Sequence, residues 1–174
     1  MAKSLLSATK EDAITDATTA VVALLPDAEP LLDQVRAIAP ELVRPLPAHV
    51  SLLYPGPEFT TEVVADLRAV AAELPQEVEL RELMLGEEGF LGIAVPELDT
   101  PIRQLRRRYP HLVPYDGRFG ADPPAHLTLA LGADEAQLTQ VHQFITRELP
   151  RRSRLAGPHL LRRTEQGWQP FTAH

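Results

Sequence analysis

Six histidines occur in the chain, at positions 49, 111, 126, 142, 159 and 174, and two of them differ from the rest. His49 and His126 are each followed, two residues on, by a hydroxyl side chain: His49-Val50-Ser51-Leu52 and His126-Leu127-Thr128-Leu129. On a strand, alternate side chains share a face. Each segment would therefore project an imidazole and a hydroxyl together, while Val50, Leu52, Leu127 and Leu129 feed a core on the other side. Two imidazoles with ordinary pKa values near ~6.5 can act as base and acid at neutral pH. One would take a proton from an attacking water or hydroxyl, and the other would protonate the departing oxygen. Ser51 and Thr128 would donate hydrogen bonds to the non-bridging oxygens of a phosphoryl group. The chemistry is that of a phosphodiester, with no cofactor and no metal expected, since a hydroxyl beside each imidazole makes a poor zinc ligand set.

The elements that must position these pairs are punctuated by 17 prolines. Thr18–Leu25 reads as a β-branched strand closed by Pro26. Asp27 and Pro30 read as a helix cap and an early helix position, with Leu31, Leu32, Val35 and Ile38 at helical spacing. AHVSLLYP is a second strand, and residues 60–74 form a helix with Val63, Leu67 and Val70 inward. Glu77–Leu85 and Phe90–Val95 follow as strands. The order then restarts with a helix at Thr100–Pro101, the strand AHLTLALG, and a helix capped by Asp134, where Gln137 completes a capping box. Arg154–Arg163 and Trp168–Ala173 read as closing strands. Parts of the two halves match: Ala48–Leu52 aligns with Ala125–Leu129, Glu73-Leu74-Pro75 repeats as Glu148-Leu149-Pro150, and Glu87–Phe90 aligns with Glu165–Trp168. Offsets of 75 to 78 in one order indicate an internal repeat. The expected fold is α+β: a duplicated unit forming two pseudo-symmetric lobes over residues 18–174, antiparallel-rich sheets facing a central groove and helices outside. Residues 1–17 read as a flexible N-terminal arm.

Composition narrows the partners. The chain has 174 residues, 44% of them hydrophobic and 24% charged, as in one soluble domain with a sizeable core. A net charge of −7 argues against an extensive nucleic-acid surface. The imbalance lies in the first half: residues 1–87 hold 6 basic and 15 acidic side chains, residues 88–174 hold 11 and 9. Without cysteine there is no disulfide, thiolate metal site or cysteine nucleophile. No apolar run approaches the ~20 residues that span a bilayer, and the opening residues turn charged too early for a signal-peptide core. A cytoplasmic monomer acting on a small nucleotide or short RNA end, away from membranes, is expected.

The paired motifs, with the longer contexts PAHVSLLYPG and YPHLVPYDGRFGADPPAHLTLALG, resemble the 2H phosphoesterase superfamily, which contains the 2′,5′ RNA ligase/cyclic phosphodiesterases. The resemblance covers roughly residues 18–174. It implies metal-independent hydrolysis of a 2′,3′-cyclic phosphate or a 2′,5′-phosphodiester, with His49 and His126 as acid and base. Ser51 stands where threonine is commoner in the family, which keeps the hydroxyl and loses a rotamer-restricting methyl.

Around the pair, Tyr54 closes the first motif strand. Alternation points it to the core face, unless the following Pro55-Gly56-Pro57 turn swings it to the groove. The irregular stretch Pro110–Pro124 carries Tyr115, Arg118 and Phe119, candidates for stacking on a base or gripping a phosphate; Arg44 is a further candidate. Arg106-Arg107-Arg108 read as a solvated helix face, and the arginines at 151, 152, 154, 162 and 163 as surface charge. Trp168 and Phe171 are expected to pack the last strand. Two other readings stay open: a nucleotide- or RNA-binding protein without catalysis, and a fold repurposed for acid–base chemistry on a substrate without phosphate.

Overall fold

The structure, a computed structural model, describes residues 19–171. The expected arm, and the outer ends of the expected strands at Thr18 and Ala173, lie outside the described residues. Strand β1 (Thr19–Leu24) leads through a 3₁₀ turn at Pro26–Ala28 into α1 (Glu29–Ile38) and then β2 (His49–Leu53). Helix α2 (Thr61–Glu73), β3 (Glu77–Leu80) and β4 (Leu83–Leu85) follow. From β5 (Leu91–Ala94) the same order of elements recurs: a 3₁₀ turn at Pro96–Leu98, α3 (Asp99–Arg108), β6 (His126–Ala130), α4 (Glu135–Glu148), β7 (Arg151–Arg154) and β8 (Ala156–Thr164). Strand β9 (Gly167–Pro170) ends the described chain.

Seven strands form one antiparallel sheet in the order β4-β5-β6-β2-β1-β8-β9, and β3 pairs with β7 in a separate ribbon. The architecture is α+β. Helix ends follow local chemistry: the Thr60 hydroxyl accepts from Val63 N at 3.1 Å, and Asp134 and Gln137 form the expected reciprocal capping box. One face of the large sheet takes the helices. Val21, Ala23, Val50, Leu52, Ile93, Leu127 and Leu129 from the strands share a buried cluster with Leu31, Val35, Leu67, Ile102, Leu105, Val141 and Ile145 from the four helices. The opposite face carries a smaller cluster, Ala20, Val22 and Leu161 with Leu24, Tyr54 and Trp168 against it. It leaves the centre of that face to polar residues.

Several elements differ from the sequence expectation. The motif strands do not face each other across a gap between sheets; β2 and β6 are neighbours in one sheet, joined at Val50↔Leu127. Glu77–Leu85 is two strands, because the chain breaks at Arg81–Glu82 and sends β3 to β7 and β4 to β5. The expected strand Arg154–Arg163 corresponds to β8, which begins at Ala156; the separate strand β7, ending at Arg154, has no counterpart in the sequence expectation. Apolar patterning cannot register such a break, since the strand period continues while the pairing partner changes. Asp27 caps no helix. It sits in the 3₁₀ turn, accepts from the Arg154 backbone N at 2.9 Å and pairs with the Arg154 guanidinium, which lowers its pKa to about 2.

Leu129 is fully buried between the sheet and the helices. Leu129→Ala is expected to cost about 2–5 kcal/mol of folding stability through lost burial and a residual cavity, read as a lower urea midpoint at unchanged slope.

Candidate active site

Register places the four motif side chains. In the antiparallel pair, Val50 opposite Leu127 puts Ser51 opposite His126 and His49 opposite Thr128. The outer strands extend the same two rows, since Val22 pairs with Ser51 and Leu24 with His49, while Thr128 pairs with Gly92 and His126 with Ala94. One row across the sheet therefore reads Val22, Ser51, His126, Ala94, and the next reads Leu24, His49, Thr128, Gly92. The centre of this grid is a rectangle with imidazoles on one diagonal and hydroxyls on the other. Directly opposed Cβ atoms lie ~4.5–5.5 Å apart and diagonal ones ~7–8 Å, so a group the size of a phosphate fits between the two rings.

Both imidazoles are half-buried and held alike. His49 Nδ1 lies 2.8 Å from Pro47 O, and His126 Nδ1 lies 2.8 Å from Pro124 O. A carbonyl only accepts, so Nδ1 carries the hydrogen in both rings and the neutral form leaves Nε2 as the basic nitrogen. Burial pushes both imidazoles below the ordinary pKa of 6.5; their bonds to the proline carbonyls oppose the shift, and the Arg44 charge adds to it. The residue ahead of each histidine is fixed as well. Ala48 N donates to Glu29 Oε2 at 2.7 Å, and Ala125 N donates to Asp99 Oδ1 at 2.8 Å.

The surroundings of the two rings differ. Between α1 and β2 the link is short, whereas the link between α3 and β6 is longer and folds over one side of the rectangle. Its residues Tyr115 and Asp116 both adopt left-handed backbone, φ 50° and 53°. That conformation costs roughly 1–2 kcal/mol per non-glycine residue, and here it accompanies a bond from Tyr115 N to Tyr54 O at 2.8 Å. The Tyr115 ring stacks on His126 (centroids 6.4 Å apart, planes at 27°) and touches Tyr54 and Phe119. Burial raises its phenol pKa, and a bond with Ser51 opposes the rise. Phe90 meets His126 edge-on at 5.4 Å. Gly92 makes room for it, because a Cβ there would lie 2.8 Å from both the Phe90 ring and Leu127 O.

Of the candidates read from sequence, Tyr54 turns to this face rather than the core face and also packs against Trp168 at 6.1 Å. Phe171 stacks on Phe59 at 4.0 Å. Arg44 is exposed, and its charge bears on His49, His126, Tyr54 and Tyr115. Arg118 is taken up by Glu88, an exposed pair at 2.5 Å, and lies 5.4 Å from the Phe119 ring. Phe119 is half exposed at the rim. Arg106 corrects the reading of 106–108 as a uniformly solvated face. Its side chain is only 15% exposed, binds Asp122 and Pro123 O, and lines a small cleft with Ser51, Tyr54 and Tyr115. Sequence reasoning assigned no site role to Phe90, Arg106, Glu29 or Asp99. A signal existed for the last three: Glu29 and Asp99, like Arg36 and Arg106, recur at an offset of 70, whereas the motifs recur at 77. The longer second link hides that correspondence. Among the described residues no group of three or more His, Asp or Glu side chains is placed to hold a metal ion, and no helix is long and apolar enough to cross a membrane.

An antiparallel sheet that presents two strand-borne histidine–hydroxyl pairs as one rectangle, with its helices on the other face, defines a two-histidine phosphoesterase type of protein. The family model described as the 2′-5′ RNA ligase superfamily matches residues 24–167, and the chain belongs to that family, the 2H phosphoesterases. No curated protein matches the chain.

The lowered imidazole pKa values are directly observable. In ¹H–¹⁵N spectra of the unliganded protein, His49 and His126 are expected to titrate below pH 6.5, with Nδ1 protonated in the neutral form. A midpoint at or above 6.5 for either ring would contradict the burial argument.

Proposed function

We propose that the protein is a metal-independent phosphodiesterase that opens a nucleoside or RNA-terminal 2′,3′-cyclic phosphate, or cleaves a 2′,5′-phosphodiester, by two-histidine acid–base catalysis. The observation that carries this reading is the rectangle, with His49 and His126 on one diagonal and Ser51 and Thr128 on the other. In-line displacement at phosphorus needs the attacking and leaving oxygens on opposite sides. Imidazoles on a diagonal straddle such a centre, and hydroxyls on the crossing diagonal reach its non-bridging oxygens.

In the forward step one neutral imidazole takes a proton from water through Nε2 as the water oxygen bonds to phosphorus. The P–O bond to the leaving oxygen breaks, and the other imidazole, protonated at Nε2, gives that oxygen its proton. Products are a phosphomonoester and a free hydroxyl. One imidazole receives the proton that water loses and the other gives the proton that the leaving oxygen gains, while Ser51 and Thr128 donate toward the phosphoryl oxygens as charge builds there. Arg44 adds positive charge beside both rings, and Tyr54, Tyr115 and Phe119 offer ring faces to a base. The same reading takes residues 18–174 as one domain of two pseudo-symmetric lobes, acting as a cytoplasmic monomer on a small nucleotide or a short RNA end. The acidic net charge of −7 supports a small substrate.

The test is turnover of nucleoside 2′,3′-cyclic phosphates by the purified protein in the presence of a chelator. His49→Ala and His126→Ala are each expected to lower kcat by at least ~10²–10⁴-fold at an unchanged unfolding midpoint. Equal turnover by both variants and the parent would remove the mechanism. Binding without turnover across the panel would leave a nucleotide-binding protein. Because burial lowers both imidazole pKa values, kcat/KM is expected to follow a bell whose maximum lies below pH 6.5.

A further inference from the structure

The peptide unit just ahead of each motif histidine is held from both ends. The peptide joining Pro47 to Ala48 gives its oxygen to His49 Nδ1 at 2.8 Å and its N–H to Glu29 Oε2 at 2.7 Å. The peptide joining Pro124 to Ala125 gives its oxygen to His126 Nδ1 at 2.8 Å and its N–H to Asp99 Oδ1 at 2.8 Å. In a trans peptide the C=O and N–H point in opposite directions, so carboxylate, peptide and imidazole line up in one chain of hydrogen bonds. The previous carbonyl is also gripped in both places: Leu46 O by Arg36 Nη2 and Pro123 O by Arg106, each at 3.3 Å. Both carboxylates occupy the first position of a helix, after a 3₁₀ turn that begins with proline. The alanine carbonyls are fixed too, accepting from Leu25 N at 2.8 Å and from Val95 N at 2.9 Å.

We infer that Glu29 and Asp99 are positioning residues for His49 and His126, each acting through one peptide group as a carboxylate–peptide–imidazole relay. A carboxylate that accepts from the N–H polarises the peptide and makes its oxygen a stronger acceptor. The stronger acceptor locks the Nδ1–H tautomer, leaves Nε2 as the working nitrogen and steadies the ring when it becomes charged. The logic is that of a buried carboxylate that orients a catalytic histidine, with a peptide inserted between them. The insertion lets the carboxylate stay on the helix while the imidazole stays on the sheet. Glu29 carries a second load, because its other oxygen holds Arg36 at 2.9 Å; Arg106 instead holds Asp122. The Glu29 charge also bears directly on His49 and favours its protonated form.

The inference rests on the proposed use of both imidazoles, and its test includes a readout that does not depend on turnover. Glu29→Ala and Asp99→Ala are expected to lower kcat roughly 10–100-fold with KM little changed. In each, ¹⁵N spectra are expected to show a larger share of the Nε2–H tautomer than in the parent, for the affected ring alone. Glu29→Gln and Asp99→Asn keep an acceptor oxygen for the N–H, so they are expected to hold the Nδ1–H tautomer, recover most of the lost kcat, and lower the pKa of the one histidine served. These isosteric variants decide the matter where an alanine variant does not fold. Unchanged tautomer and pKa of His49 in Glu29→Gln and Glu29→Ala, and of His126 in the Asp99 variants, would overturn the relay. A parent protein that turns over no phosphodiester while the spectra shift as described would instead overturn the functional reading and leave the relay standing.

Discussion

The site depends on one junction in the large sheet, where Val50 lies opposite Leu127. Those two side chains point into the core and carry no chemistry. Their pairing nevertheless decides that Ser51 faces His126 and His49 faces Thr128. A slip of one residue would turn either motif inside out, driving an imidazole and a hydroxyl into the helix-covered face and exposing leucines. The burial of Val50, Leu52, Leu127 and Leu129, all at most 1% exposed, opposes such a slip. At about 1.5–3 kcal/mol for each large apolar side chain, the core sets the register more firmly than the polar face does.

Glycine and alanine finish what the register begins. On the β5 side Gly92 and Ala94 stand next to the rectangle, and Phe90 folds back over the glycine to meet His126. On the β1 side Val22 and Leu24 stand next to the rectangle, with His159 and Ala156 of β8 beyond them. The site is thus a polar rectangle set in an apolar frame, a setting that lowers the local dielectric and depresses both imidazole pKa values. The bonds to the proline carbonyls oppose that depression and keep the protonated forms within reach.

Much of this was legible in the sequence, and the rest failed for identifiable reasons. The histidine–hydroxyl pairs, their shared face, the core residues between them and the Asp134–Gln137 cap all follow from period and local turn chemistry. Strand partners do not. Nothing in Glu77–Leu85 says that its two ends join different sheets, and nothing in the motifs says that they sit side by side. Tyr54 breaks the alternation because the strand ends at Leu53 and the chain has already begun to turn. Arg106 reads as one of three exposed arginines, yet helix geometry gives each its own direction, and only the chain leading into β6 supplies Asp122 and the Pro123 carbonyl. Glu29 and Asp99 were hidden by a change of offset between the matching segments, from 70 to 77.

That change of offset is the seven residues by which the second helix-to-strand link exceeds the first, and it has a consequence for the symmetry of the site. The rectangle, taken alone, is nearly indifferent to which way round a ligand enters, since exchanging the two motifs exchanges like for like. The longer link ends that indifference by laying Tyr115 against one imidazole, that of His126. It is anchored through Tyr54 O and Glu88, through Arg106 at Asp122 and Pro123 O, and through Tyr115 to Ser51 on the strand itself. The register beneath it is set by the buried faces of the strands, not by the link. The asymmetry of the site thus lies in an irregular link at its edge, and its near-symmetric histidine pair in the sheet.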